Sequence, residues 1–190
     1  MSTISIKKIS ITDLDTDTVV NAANSHLQAG SGVCGAIFSA AGYAQLQNAC
    51  NRIGHCPTGS AVITPGFNLK ARYIIHAVGP IYSNGRRGEP QLLYSAYQKS
   101  LELAASSGCK SIGFPLISAG IYGYPKDEAW RKALQACRDF LEKNPGTPME
   151  VVFAILSDGI IELGRKAMQD VMPENIVPGT DGLKARFANK

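Results

Sequence analysis

The chain contains 190 residues, of which 45% are hydrophobic and 18% are charged, and its formal net charge is +4. This length supports one well-buried core and is too short for two comfortable domains, so we expect a single domain over residues 1–171. A charge this small argues against an extended nucleic-acid surface, and it leaves two interpretations of the scattered Lys and Arg residues: a solvated surface, or a site for a small anionic ligand.

The cysteines and the lack of targeting signals bear on where the protein works. There are five cysteines, an odd number, and no C-x-x-C pair. Without a signal peptide or an apolar run long enough to span a bilayer, we expect reduced thiols in a cytoplasmic protein with no membrane partner. Zinc binding by Cys50, His55 and Cys56 is a weak alternative, because this spacing matches no common site and a fourth ligand must come from far away. We therefore predict no metal and no cofactor.

Hydrophobic periodicity predicts strands that alternate with helices. The predicted strands cover residues 4–11, 19–23, 60–64, 73–78, 111–116 and 150–156. The predicted helices cover residues 33–48, 91–107, 125–143 and 158–171. Residues 172–190 contain Pro and Gly but little periodicity, which predicts a C-terminal tail of low order. The alternation is typical of an α/β fold, here a three-layer α/β/α sandwich around a mixed, mostly parallel sheet.

Residues 19–42 combine a strand, a glycine-rich loop and the start of a helix. The loop contains Gly30, Gly32 and Gly35. Glycines let the backbone approach an anion, and the free N–H groups of a helix start point towards it. The spacing fits neither a Lys-bearing phosphate loop nor, because an acidic residue on a second strand is missing, a dinucleotide-binding fingerprint. The pattern indicates a phosphate site, although glycines also occur at such turns for steric reasons alone.

Two residues in apolar segments have both a structural and a functional interpretation. His76 lies inside the continuous apolar run of residues 73–78, and we favour a core histidine with satisfied hydrogen bonds over a catalytic one. Trp130 lies on the apolar side of the predicted helix 125–143, and we favour a core position over a ligand platform.

A second glycine-rich turn, ISAGIYGYP, follows the predicted strand 111–116 and covers residues 117–125. Ligands of parallel α/β sheets bind beyond the carboxyl ends of the strands. Both glycine-rich turns leave strands at that edge. We therefore expect the two turns to face each other across one cleft.

An ordered set of short motifs runs through the chain: residues 20–24 (VNAAN), 30–33 (GSGV), 36–37 (AI), 40–42 (AAG), 57–59 (PTG), 64–66 (TPG), 75–80 (IHAVGP) and 118–125 (SAGIYGYP). Together they resemble the macrodomain family, in its MacroD-like, ADP-ribose-processing branch. The resemblance covers residues 4–171. It implies a macrodomain-like fold with ADP-ribose bound in the cleft between the two turns.

The resemblance implies specific contacts for the first loop. Asn24 is expected to hydrogen-bond the distal ribose. Gly30, Gly32 and Val33 are expected to approach the distal ribose and the diphosphate through their backbone, and Ala22 belongs to the same set of ligand contacts. Neutral N–H donors suit a diphosphate without many lysines, in keeping with the modest net charge.

For the second loop, the resemblance implies a phosphate-binding turn formed by Ser118, Gly120, Ile121 and Tyr122. The ring of Tyr122 is expected to close over the distal ribose. Ala119 also belongs to the predicted contacts, and it stands where the family often has Ser or Thr.

At the adenine end, the family often has an Asp at the end of its first strand that binds the adenine amino group. That position is Ser10 here, which accepts a hydrogen bond more weakly. Ile11 is included in the predicted ligand contacts, and Leu156 is our candidate for an apolar wall beside adenine. Asp13 and Asp15 lie nearby in the wrong register, so the role is not transferred to them.

Asn24 and Cys34 are the predicted catalytic residues. In family members that hydrolyse ADP-ribose esters, an attacking water is oriented by the α-phosphate and, in many members, by an Asp. Cys34 stands at the position of that Asp, and general-base help of this kind is worth about 10²–10⁴-fold in rate. A neutral, space-filling thiol is favoured here over a partly ionised one, which a helix start could produce.

The function implied by the resemblance is hydrolysis of ADP-ribosyl linkages, in a mono-ADP-ribosylated protein or in O-acetyl-ADP-ribose. The alternative is a non-catalytic reader module that binds ADP-ribose or ADP-ribosylated protein, and Cys34 is the feature that separates the two. An RNA end or another nucleotide is a third candidate ligand. Binding of polynucleotides is disfavoured, because the sequence has no stripe of aromatic and basic residues.

Overall fold

The chain is built on one mixed β-sheet with helices on both faces, in a computed structural model that describes residues 1–179 and 182–188. The strands are β1 (Ser2–Lys8), β2 (Thr18–Ala22), β3 (Ala61–Pro65), β4 (Tyr73–Ala77), β5 (Ser111–Phe114), β6 (Glu150–Ile155), β7 (Ile176–Gly179) and β8 (Gly182–Phe187). The helices are α1 (Gly32–Ala41), α2 (Tyr43–Ile53), α3 (Glu89–Ser106), α4 (Lys126–Lys143) and α5 (Asp158–Val171). None of the helices in these residues is long and apolar enough to cross a membrane.

The sheet has the strand order β3-β4-β2-β5-β6-β1-β8-β7. The central pairs, from β4 through β2, β5 and β6 to β1, are all parallel. The outer pairs β3–β4, β1–β8 and β8–β7 are antiparallel. The predicted α/β/α sandwich with a mixed, mostly parallel sheet is confirmed, and the carboxyl ends of the parallel strands lie at one edge.

Each face of the sheet carries its own hydrophobic core. Helices α1 and α2 cover one face, and α3, α4 and α5 cover the other. Successive residues of a strand point to opposite faces, so Val19 packs under α1 while Val20 packs on the other side. Trp130 is fully buried beneath α5 and its Nε1–H donates to the carbonyl oxygen of Ile160 at 2.9 Å. The core interpretation of Trp130 is therefore confirmed.

The single helix predicted over residues 33–48 is wrong, because the structure has two helices there. Gly42 separates α1 from α2 with φ at +109°, a conformation that cannot continue a right-handed helix. Its N–H still donates to the carbonyl oxygen of Phe38 at 3.2 Å, which closes the last turn of α1. The break lets α2 turn back across the sheet face next to the first glycine-rich loop.

The prediction of a low-order tail is wrong for residues 172–179 and 182–188. Strand β8 pairs antiparallel with β1 and β7 pairs with β8, so the end of the chain extends the sheet. Ala185 and Phe187 alternate into the core beside β1. Residues 180–181 and 189–190 of the predicted tail lie outside the described residues.

Candidate functional site

The two glycine-rich loops border one cleft at the carboxyl ends of β2 and β5. Its volume is about 320 Å³, which falls within the usual range for small-molecule sites. Of the residues predicted from the sequence, the cleft lining contains Ala22, Asn24, Gly30, Gly32, Val33, Cys34, Ser118, Gly120, Ile121 and Tyr122. The expectation that both loops face one cleft is met.

The side chain of Asn24 is held by the backbone of one residue, Gln28. Its Nδ2 donates to the Gln28 carbonyl oxygen at 2.9 Å, and its Oδ1 accepts from the Gln28 N–H at 3.0 Å. Because one partner is only a donor and the other only an acceptor, this pairing fixes which end of the amide is nitrogen. One Nδ2–H and one Oδ1 lone pair remain for a ligand.

The loop behind Asn24 is clamped by Gln47 of α2. The Oε1 of Gln47 accepts from the Ala29 N–H at 3.0 Å, and its Nε2 donates to the Leu27 carbonyl oxygen at 3.1 Å. The same Nε2 donates to Oδ1 of Asn51 at 2.9 Å, which fixes the Gln47 amide in turn. One side chain therefore holds the backbone of the loop at both Leu27 and Ala29. The sequence analysis did not identify this long-range role.

The start of α1 supplies the first set of free backbone donors. The opening N–H groups of a helix, here those of Gly32, Val33 and Cys34, have no partner within the helix, and no capping side chain accepts from this turn. They lie at the positive end of the helix dipole. A Cβ at Gly35 would lie 2.6 Å from the carbonyl oxygen of Gly30, so this glycine is needed for the loop to pack against α1.

Cys34 lines the floor of the cleft as a nearly buried thiol. It is 8% exposed, and its Sγ lies 3.8 Å from the carbonyl oxygen of Gln28. Burial raises the pKa of Cys34 above its usual range, and this effect outweighs the hydrogen bonds that lower it. The geometry therefore favours the neutral, space-filling thiol over the ionised one.

A buried polar cluster lies under the cleft, on the face of the sheet that α1 and α2 cover. His76 is fully buried; its Nδ1 pairs with Nδ2 of Asn21 at 3.1 Å and its Nε2 with Oγ1 of Thr64 at 3.0 Å. Burial lowers the pKa of His76 to about 4, so the ring is neutral at pH 7. This is the satisfied core histidine that the sequence analysis favoured. Cys50 completes the cluster, with its Sγ 3.9 Å from Nε2 of His76.

The second loop turns sharply at Ser118, whose φ is +67°. Its Oγ donates to the carbonyl oxygen of Pro80 at 2.8 Å, which holds the unusual backbone and occupies the hydroxyl hydrogen. Within the described chain, the N–H groups of Gly120, Ile121 and Tyr122 donate to no protein acceptor. This turn therefore contributes the second set of free backbone donors.

Gly79 is a site residue that the sequence analysis did not select. It lines the cleft at the end of β4, where a Cβ would lie 2.2 Å from Oγ of Ser118 and 2.5 Å from Cγ2 of Ile117. Only glycine lets β4 meet the second loop this closely. The signal was the Gly79-Pro80 pair that closes the strand. Other unselected lining residues are Ala23, Ser31, Pro115, Leu116 and Ile117.

Four predicted contacts do not line this cleft. Strand β1 ends at Lys8, so Ser10 precedes a short 3₁₀ turn, where its Oγ lies 2.9 Å from Oγ1 of Thr12. Ile11 opens that turn with its side chain buried under α1, and Ala119 is buried in the opposite core. Leu156 follows β6 and is 65% exposed.

The cleft lining contains no charged side chain. An anion bound there would have to be held by backbone N–H groups and the helix dipole. Among the described residues, no group of three or more His, Cys, Asp and Glu side chains is arranged to hold a metal ion. Cys50, part of the weak zinc alternative, contacts His76 rather than His55.

Comparison with known sequences identifies one family and several relatives. The family model described as Macro domain matches residues 20–133. A protein of Fusobacterium nucleatum without an assigned function is 53% identical over 133 residues, which cover 70% of this chain and 75% of that protein. A protein of Escherichia fergusonii named O-acetyl-ADP-ribose deacetylase is 46% identical over 156 residues, or 80% of this chain and 87% of its own length.

Solved structures give the same result. The Oceanobacillus iheyensis macrodomain, solved with ADP, superposes with a TM-score of 0.84 at 37% identity, over 89% of this chain and 91% of its own. The Trypanosoma brucei macrodomain in complex with ADP-ribose has a TM-score of 0.80 at 38% identity, over 87% of this chain and 68% of its own.

Proposed function

The chain belongs to the macrodomain family, and on this basis we propose that it binds ADP-ribose in the cleft between its two loops and hydrolyses ADP-ribosyl linkages. The substrates would be mono-ADP-ribosylated protein or O-acetyl-ADP-ribose. Support comes from the Escherichia fergusonii relative that is named O-acetyl-ADP-ribose deacetylase. The two solved macrodomains that contain ADP or ADP-ribose support the choice of ligand.

The observation that carries the proposal is the pair of free donor sets that face one uncharged cleft. The start of α1 offers N–H groups on one side, and the turn at Gly120, Ile121 and Tyr122 offers them on the other. A diphosphate presents anionic oxygens on both sides and needs donors on both. Charge-assisted hydrogen bonds to backbone N–H groups are stronger than neutral ones, so lysines are not required.

Asn24 would act on the ribose and on the attacking water. Its free Nδ2–H and Oδ1 lone pair project from an amide that Gln28 already holds in one orientation. Such preorganisation removes the cost of ordering the group during the reaction. With no charged side chain in the lining, the water would be held mainly by the substrate phosphate and Asn24.

The reaction would be a hydrolysis without a covalent enzyme intermediate. With O-acetyl-ADP-ribose, the water oxygen bonds to the acetyl carbonyl carbon and the bond from that carbon to the ribose oxygen breaks. The ribose oxygen takes a proton, and acetate and ADP-ribose leave. With a protein carboxyl ester, attack at the anomeric carbon breaks its bond to the ester oxygen and frees the side-chain carboxylate.

The second candidate function is a reader module that binds ADP-ribose without turnover. The neutral thiol of Cys34 favours this function. Burial raises the pKa of Cys34, so the cleft floor has no anion there that could polarise a water. The two functions share the same binding geometry. They differ only in whether the bound substrate is cleaved.

A turnover assay on three substrates separates these functions. We expect release of ADP-ribose from at least one of an acidic-residue-linked protein, a serine-linked protein and O-acetyl-ADP-ribose. Asn24→Ala should lower kcat/KM by about 10²–10³-fold, as expected for loss of one preorganised donor, while circular dichroism stays unchanged. Tight ADP-ribose binding without turnover of any substrate would instead establish the reader. Unchanged activity in Asn24→Ala would contradict the role of Asn24.

A further inference from the structure

A surface loop is fastened to the wall of the cleft at Tyr122. This loop, residues 81–88, belongs to the connection between β4 and α3, and we call it the arginine loop. The N–H of Tyr82 donates to the carbonyl oxygen of Tyr122 at 2.9 Å. The Tyr82 ring also packs on the ring of Tyr124, with centroids 4.9 Å apart. The arginine loop and the second glycine-rich loop are therefore one continuous structural unit.

The carboxylate of Glu89 holds the arginine loop in one conformation. Its Oε2 accepts from the N–H groups of Ser83, Asn84 and Gly85 at 2.9, 3.1 and 2.8 Å, and its Oε1 accepts from that of Arg87 at 2.6 Å. Glu89 is buried, and these bonds lower the pKa of its carboxyl to about 2. Because one carboxylate ties four N–H groups of the loop, its backbone loses little ordering entropy when it binds a partner.

The arginine loop carries two exposed arginines, and exposed isoleucines lie in the same loop and on the cleft wall. Arg86 and Arg87 are exposed, and neither forms an ion pair with any described residue. Ile81 in the same loop is 69% exposed and Ile121 on the cleft wall is 87% exposed. Arginine is enriched at protein–protein interfaces, and the buried centre of such an interface is more apolar than the rest of the surface. Glu128 on α4 lies near Tyr124 and forms no ion pair with either arginine.

We propose that the arginine loop and Ile121 form a docking surface for the polypeptide that carries an ADP-ribosylated side chain, and that this polypeptide is acidic. The inference rests on the proposed function and on the expectation from the family resemblance that Tyr122 lies at the distal ribose, the sugar joined to the modified protein. The modified chain would then leave the cleft beside Tyr122. The backbone spans at most about 14 Å from Tyr82 to Arg86 and at most about 18 Å from Tyr82 to Arg87, so both arginines lie within reach of the chain that flanks the modified residue.

This surface gives the protein a means of preferring protein-linked ADP-ribose over a small ester. O-acetyl-ADP-ribose has no flanking chain and gains nothing from the two arginines. An exposed ion pair contributes little on its own, so two such pairs give a preference of roughly 2- to 30-fold. Because the pairs are exposed, the preference should shrink as salt is added.

The test compares two double charge reversals with the same change in net charge. The first is Arg86→Glu/Arg87→Glu, and the matched control is Lys143→Glu/Lys166→Glu, at exposed positions outside the cleft lining. Each is titrated with free ADP-ribose and with two peptides that carry ADP-ribose through a hydrolysis-resistant linkage. One peptide has Glu on both sides of the modified residue, and the other has Gln there.

We expect the arginine variant to bind the Glu peptide about 2- to 30-fold more weakly than the unmodified protein, and the Gln peptide and free ADP-ribose as before. The control should bind all three ligands as the unmodified protein does. The docking proposal alone would be overturned if the arginine variant bound the Glu peptide as tightly as the protein without substitutions does. It would also be overturned if the variant lost as much affinity for free ADP-ribose as for the Glu peptide. Failure of the unmodified protein to bind free ADP-ribose would overturn the proposed function itself.

Discussion

Cys34 and Asn24 meet at one backbone atom, the carbonyl oxygen of Gln28. Asn24 donates to this oxygen at 2.9 Å, and the Cys34 thiol lies 3.8 Å from it. The thiol also receives hydrogen bonds from the Asn21 side chain and the Gly30 backbone, which lower its pKa less than burial raises it. Burial outweighs these hydrogen bonds, so the site holds a neutral thiol.

Substitutions of Cys34 show whether the thiol is a passive group. Cys34→Ala should leave kcat/KM within about threefold, because a protonated thiol gives little of the general-base help that is worth about 10²–10⁴-fold. Cys34→Asp should raise kcat/KM, because an ionised carboxylate can orient the attacking water where the neutral thiol cannot. Both effects are measured as kcat/KM over a range of pH, with the same substrate for each variant and for the protein without substitutions. A large loss in Cys34→Ala would show that the thiol takes part.

At the scale of secondary structure, the position of the first loop depends on α2. Gln47 bonds the backbone of Leu27 and Ala29, and these residues follow Asn24 in the loop. The pair of helices that replaces the predicted single one is what brings Gln47 to this place. A continuous helix over residues 33–48 would have carried it away from the loop.

Removing the clamp should weaken ligand binding without unfolding the protein. Gln47→Ala deletes hydrogen bonds to the loop, and we expect a loss of about 1–2 kcal/mol in ADP-ribose binding, or roughly 5- to 30-fold in Kd. Gln47→Glu keeps an acceptor for Ala29 but not the donor for Leu27, so its effect should be intermediate. Calorimetry measures both, with Asn48→Ala on an exposed position of α2 as control. Unchanged Kd in Gln47→Ala would rule out the clamp.

The sequence predicted the layers and both glycine-rich loops, because these features have local signals. Apolar runs such as residues 73–78 mark buried strands, and glycines mark the turns. The final hairpin was missed because only Leu183, Ala185 and Phe187 alternate in β8, and two basic residues stand between them. Gln47 and Glu89 were missed because their side chains bond to the backbone of a loop. Such bonds leave no periodic pattern in the sequence.

For the whole molecule, the buried cluster around His76 makes stability depend on pH. The pKa of His76 is lowered to about 4, below the value of about 6.5 in an unfolded chain. Between these values the unfolded state binds more protons, so stability falls as pH falls from about 6.5 towards 4. Asn21, Thr64 and Cys50 surround the ring, and none supplies a negative charge: the thiol of Cys50 is neutral because its pKa is raised to about 11.

Urea unfolding at several pH values tests this dependence. We expect the free energy of unfolding to be lower at pH 5 than at pH 7 by about 2 kcal/mol from His76 alone. Glu89, with its pKa lowered to about 2, adds a further loss only below about pH 4.5. His76→Gln removes the titrating ring and should reduce the change between pH 7 and 5. An equal change in that variant would assign the effect to other groups.

The proposed function requires that the uncharged cleft bind a diphosphate between two riboses through backbone N–H groups. Calorimetry with ADP-ribose and AMP tests it most directly, because AMP lacks the second phosphate and the distal ribose. We expect ADP-ribose to bind at least about tenfold more tightly, a difference of about 1.4 kcal/mol or more. Equal affinities for the two ligands would contradict the assignment of both loops.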